Sequence, residues 1–162
     1  MSNCFTPNTI YAALYRRMDS RYHWAMILAE GPENGYKLHA TNIPDPAEWH
    51  YEREVYSIDN ERKPLVLMAK IGCVPADMSI AEAESILGEI PMETPQPDSP
   101  HPFTCRIWFR EGIRRLSAAG LMQCVSVNAL EYELVDIADD HSNLVALGLR
   151  PWKLHEEIRS VH

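Results

Sequence analysis

Five prolines crowd residues 91–102 of this chain, PMETPQPDSPHP, and no helix or strand can run through them. Proline lacks the N–H that a hydrogen-bond ladder needs, and it disfavours helix in the residue before it. The segment is therefore a loop, expected to cross the sheet surface. It divides the chain into halves of different periodicity. It is too short to separate two domains, and 162 residues suit one domain over 1–162 with a real core.

The half before the prolines reads as strands. TIYAALYRR is rich in β-formers, and HWAMILA is an apolar run of strand length. The turn EGPENG separates that run from YKLHAT, which predicts a hairpin. In EWHYEREVYS, Trp49, Tyr51, Arg53 and Val55 share one parity, and PLVLMAKIG is a further apolar strand. The half after the prolines reads as helices. SIAEAESILGEI opens on Ser79 with Glu82 three residues on, the capping-box pattern. TCRIWFREGIRRLSAAG runs from Thr104 as N-cap to Gly120 as stop, with Cys105, Phe109, Ile113 and Leu116 on one stripe. NALEYELVDIA fits a helix or a strand, and PWKLHEEIRS predicts a terminal helix with Pro151 at its first position. Strands followed by helices indicate an α+β fold, an antiparallel sheet of about four or five strands with packed helices.

The formal net charge of -8 makes nucleic acid a poor partner, and no apolar run reaches the ~20 residues of a membrane span. The start MSNCFTPNTIYAALYRR lacks the features of a secretory signal, so a cytoplasmic protein is expected. Cys4, Cys73, Cys105 and Cys124 form no CxxC, so neither a zinc knuckle nor a dithiol redox motif is indicated. A cysteine of this kind is ordinarily a small buried hydrophobe. Cys105 differs in opening a helix, where free N–H groups and the positive dipole end favour a thiolate. A nucleophilic cysteine also needs a base, normally an oriented histidine. His23 and His39 stand on the two strands of the predicted hairpin. Whether they share a face depends on the turn register, which the sequence leaves open.

YHWAMILAEGPENGYKLHAT resembles the signature of the lecithin retinol acyltransferase-like thiol enzymes, a circularly permuted branch of the papain-like, NlpC-like superfamily. FTCRIWFREGIRRL resembles their nucleophile segment, and the order His, His, Cys is the permuted one. The resemblance covers about 35 residues, with two departures: Thr104 and Arg106 flank the cysteine where the family usually has Asn and an acidic residue, and the turn between the histidine strands is longer than the family's. It implies a permuted papain-like fold and a cofactor-independent enzyme. Cys105 would attack an acyl ester, thioester or amide, with His23 as base and His39 orienting it. Trp24, Arg106 and Trp108, beside these three, are the expected substrate contacts. The reaction would be acyl transfer, hydrolysis or cyclisation, the last as in natural-product biosynthesis. The wider cadence also resembles small fungal proteins of unassigned function.

The contrasting expectation is a non-catalytic module that binds a small molecule or a protein in the same cleft. Two histidines and a cysteine can hold zinc, but their spacing is no recognised zinc pattern, so no metal and no cofactor are expected. The charges of EREVYSIDNER, the acids of DIADD and the arginines at 106, 110, 114 and 115 read as solvated surface, although the arginines could attract an anionic substrate. The partner expected is a small or carrier-bound acyl substrate; a homodimer is compatible with the sequence, which does not fix oligomeric state.

Overall fold

The computed structural model describes residues 4–19, 21–148 and 152–161. Five strands come first: β1 (Thr9–Arg16), β2 (Tyr22–Ala29), β3 (Asn34–Thr41), β4 (His50–Ser57) and β5 (Leu65–Cys73). Three helices follow, α1 (Ile80–Gly88), α2 (Cys105–Ala118) and α3 (Val127–Ala146), and then a short strand β6 (Lys153–His155). The sheet runs β4-β3-β2-β1-β5-β6. Every pairing is antiparallel except β5 with β6, which is parallel. The fold is α+β with a mixed, mostly antiparallel sheet. No helix among the described residues is long and apolar enough to cross a membrane.

β6 replaces the expected terminal helix: residues 153–155 extend the sheet at the β5 edge. Pro151, read as the start of that helix, lies outside the described residues. NALEYELVDIA, which fitted either form, lies inside α3. There Leu130, Leu134 and Ala138 are buried at helical spacing, and the side chain of Ser126 caps Ala129 N–H.

β1 and the central part of β2 are buried on both faces, which is why they read as continuous apolar runs rather than alternating ones. Ile10, Ala12, Leu14, Trp24, Met26 and Leu28 point to the helices and join Phe109, Ile113 and Leu134 in the main core. Tyr11, Ala13, Tyr15, Ala25 and Ile27 point the other way. Phe5, Ile58 and Trp152 from the loops and termini cover that second face beside Leu154 of β6.

α1 has the expected capping box: Ser79 Oγ accepts from Glu82 N–H, and Glu82 returns a bond to Ser79 N–H. Gly120 closes α2 in the left-handed region at φ +83°, where a glycine carries no Cβ penalty. Gly112 lets α2 approach the sheet: a Cβ there would stand 2.8 Å from Met26 Cε.

The proline-rich loop docks on α2 rather than crossing the sheet freely. Asp98 is buried and accepts from Arg110 Nε at 2.9 Å and from Arg114 at 2.6 and 2.8 Å. Burial pushes its carboxyl up, but the bonds from Arg114 and Arg110 outweigh this and hold it below the ordinary value. The arginines of α2 are thus no solvated face. Arg110 is buried, and it also donates to Asn128 at 2.6 Å, while Arg106 forks onto Glu131 at 2.6 and 3.0 Å. Breaking a buried pair strands the remaining charge. Asp98→Ala should therefore cost about 3 kcal/mol, read as a lowered urea midpoint with an unchanged slope.

Candidate functional site

The β2–β3 hairpin register sets the geometry. Met26 faces Leu38 and Ala29 faces Gly35, so residues of like parity on the two strands share a face. His23 and His39 therefore meet, His23 Nε2 lying 2.6 Å from His39 Nδ1 with the rings nearly perpendicular at 84°. Ladder pairing between the strands stops at Met26 and Leu38, and the two imidazoles bridge the strands beyond that point.

They do so on the face away from the helices. His23 stands opposite Tyr15 in the β1–β2 register, and Tyr15 belongs to the second core. The next residue, Trp24, points to the helices, 4.8 Å from the Phe109 ring. Cys105 is on Trp24's side, 2% exposed and packed in the helix-side core. The sheet therefore lies between Cys105 and both His23 and His39, and the expected triad is not assembled. Burial pushes the Cys105 thiol up; opposing hydrogen bonds from the backbone of Trp24 and Arg106 do not reverse this. Of the expected substrate contacts, Trp24 and Arg106 line a cavity with Cys105. Trp108 does not: it is wholly buried and stacked on Tyr51.

The histidines instead belong to a polar cluster on the second face. Lys37 is buried, its ammonium 4.3 Å from the Tyr15 ring centroid. Tyr15 and Tyr56 both donate to Glu61 Oε2, at 2.9 and 2.8 Å. The β3–β4 register sets His39 opposite Glu52 and Lys37 opposite Glu54. His39 Nε2 lies 4.0 Å from Glu52 Oε2 and 3.9 Å from Glu54 Oε1, beyond hydrogen-bond reach. A bond between Glu52 and Glu54 raises the first carboxyl and lowers the second.

Burial, then the neighbouring charges, keep the basic groups of this cluster neutral more easily than in water. His23 falls to about 3 through burial, His39 and Lys37, and His39 falls to about 4 through burial and Lys37, against an opposing pull from Glu54. Lys37 falls to about 8 through burial and Lys63. Sequence reasoning found the two histidines but not Lys37, Glu52, Glu54 or Glu61. The signal was the strict alternation of HYEREVYS, which puts Glu52 and Glu54 on one face of β4.

At the helix end, the cavity of about 460 Å³ is bounded by β2, α2, α3 and the loops around Arg17 and His101. Tyr22, Trp24, Pro102 and Val135 supply apolar wall, and Arg17, Arg21, Arg106, Glu131 and Asp139 supply charge. Asp139 accepts from Tyr22 Oη at 2.7 Å, while Glu131 is held by Arg106. The Thr104 side chain makes no capping bond to α2.

Two measurements follow from the separate faces. Iodoacetamide should label the exposed Cys4 and Cys73 faster than Cys105 in the folded protein, as read by peptide mass mapping. Faster labelling of Cys105 would contradict its burial. For the histidine pair, both folded values lie below the unfolded 6.5, so below that pH the unfolded chain binds more protons. The contribution of the pair is then complete above about pH 6.5 and is lost as pH drops, by up to about 2.7 kcal/mol per pH unit for two protons. Urea unfolding at stepped pH measures the slope, and ¹⁵N NMR should show both rings neutral at about pH 5.5.

No curated protein and no solved structure matches the chain. The family of unknown function DUF6914 matches residues 8–141, from β1 into the last turns of α3, and the chain belongs to that family.

Proposed function

We propose that this protein binds a small, partly apolar anion in the cavity at the head of α2. The observation that carries this reading is an imbalance of partners. The acids of the cavity are engaged by the protein, Glu131 by Arg106 and Asp139 by Tyr22. Among the described residues the Arg17 and Arg21 side chains make only long contacts to Asp19, at 3.5 and 3.8 Å, and both are exposed. The first turn of α2 contains no acidic residue and receives no side-chain cap, so its N–H groups and dipole favour a negative charge. Tyr22, Trp24, Pro102 and Val135 offer apolar contact beside that charge. Few convergent polar groups in a mostly apolar concavity are the usual form of a small-molecule site.

A thiol acyltransferase or hydrolase reading takes its support from the same cavity, because Cys105 and His101 both line it. His101, not His23, would then be the base. The permuted papain-like arrangement rests on the helix-opening cysteine packed beside β2, and it lacks a histidine on that face of the strand.

Titrating the protein with decanoate, decanol and decylamine separates these outcomes. Decanoate alone should raise the melting temperature and quench tryptophan fluorescence, and Arg17→Glu with Arg21→Glu should weaken its binding at least about tenfold, the scale of one lost charge-assisted contact. Equal binding of decanol and decanoate would overturn the anion reading. Release of p-nitrophenol from an acyl ester, lost in both Cys105→Ser and His101→Ala, would support the enzyme instead.

A further inference from the structure

One buried nitrogen on the second face stands without a hydrogen bond among the described residues. His39 is 3% exposed, and its Nε2 makes no hydrogen bond among the described residues. An orphaned buried polar atom is uncommon and costly. Here it is aimed at two carboxylates on the neighbouring strand. His39 Nε2, one oxygen of Glu52 and one of Glu54 all lie within 4.8 Å of one another. His39 Nδ1 is meanwhile engaged with His23 Nε2 at 2.6 Å. With the proton on His39 Nδ1, donated to His23, the Nε2 lone pair faces two further acceptors. With both carboxyls ionised, three lone-pair donors converge, and a metal ion would take the place of the proton that otherwise bonds Glu52 to Glu54.

We propose that His39 Nε2, Glu52 and Glu54 bind a divalent first-row transition-metal ion. One imidazole and two carboxylates are a borderline ligand set that suits zinc or manganese, whereas magnesium and calcium prefer oxygen alone. The geometry needs little adjustment. Ligand atoms about 2.1 Å from a tetrahedral ion are spaced roughly 3.4 Å apart. The present nitrogen–oxygen distances of 3.9 and 4.0 Å exceed that by about half an ångström. Both glutamate side chains are 38% exposed, free to turn, while the imidazole is fixed by burial and by His23. His23 thus acts as the outer-shell group that sets the ligand's tautomer. Lys37, the cation nearest in register, lies over the Tyr15 ring and forms no ion pair with either glutamate among the described residues. His50 Nε2, 3.8 Å from Glu52 Oε2, stands at the open rim. Three protein ligands leave a position for water or a bound molecule. This site is separated by the sheet from the cavity at α2, and the two stand or fall independently.

The test is metal binding by the full chain after exhaustive chelation, using zinc, manganese, cobalt and magnesium as probes. Calorimetry should give one zinc or manganese per chain and no comparable magnesium binding. Glu52→Gln with Glu54→Gln, on the exposed edge strand, should weaken zinc at least about tenfold, the lower range for groups supporting a metal site, with an unchanged circular dichroism spectrum. Asp45→Asn, an exposed acid elsewhere, should not. Zinc should also shift the His39 Nε2 resonance in ¹⁵N NMR, and manganese should broaden it. Unchanged affinity in the glutamine variant would overturn the site. So would a thiolate-to-cobalt charge-transfer band, which would place the ion on a cysteine, or no binding at micromolar metal.

Discussion

The pairing of β1 with β2 decides which chemistry each face of the sheet carries. Leu14 stands opposite Trp24, and Tyr15 stands opposite His23. Successive side chains on a strand point to opposite faces, and a shift of one residue would exchange every one of them. The register is therefore held by the whole length of both strands, with large apolar side chains buried on each side. Trp24 is committed to the helix layer, and His23 is committed to the loop layer. Cys105 cannot draw on His23 without rebuilding the centre of the molecule.

The loop-covered face accepts an unusual load of polar groups, and it does so by pairing most of them. Lys37 has the Tyr15 ring, Tyr15 and Tyr56 share one Glu61 oxygen, and His23 holds His39. Burying such groups unpaired would be costly, and keeping the imidazoles neutral lowers that cost. The consequence is sensitivity to acid, since protonation on this face meets both low polarity and the nearby Lys37 and Lys63. The helix side of the sheet is covered by an apolar layer, with a paired charge network where α2, the proline-rich loop and the start of α3 meet.

Much of this architecture was legible in the residues. The five strands before the prolines, the Ser79–Glu82 box and the helix between Thr104 and Gly120 follow from local periodicity and capping chemistry. The final segment was misread because a three-residue parallel edge strand has no period to detect and owes its form to β5. The face of His23 was hidden for a related reason. A strand buried on both sides shows a continuous apolar run, so its sequence does not say which residues meet the helices. Charge on α2 was equally deceptive: Arg110 and Arg114 look solvated until Asp98, in a loop with no pattern of its own, is folded onto them.

Two polar clusters differ in whether the chain completes them. Around Asp98, donors and acceptors match: the guanidinium groups of Arg110 and Arg114 meet the carboxylates of Asp98, Glu111 and Glu131 and the amide oxygen of Asn128. Nothing further is needed there, and the loop is pinned. Around His39 the balance fails. Its outer nitrogen and the ionised carboxylates of Glu52 and Glu54 all present acceptors once its inner nitrogen donates to His23, and Lys37, the cation facing Glu54 in register, is turned onto a tyrosine ring. A folded chain ordinarily satisfies its buried polar atoms, and departures concentrate where function is carried. By that criterion the Asp98 cluster is architecture. The face bearing His39 is where the structure remains chemically unfinished without something from solution.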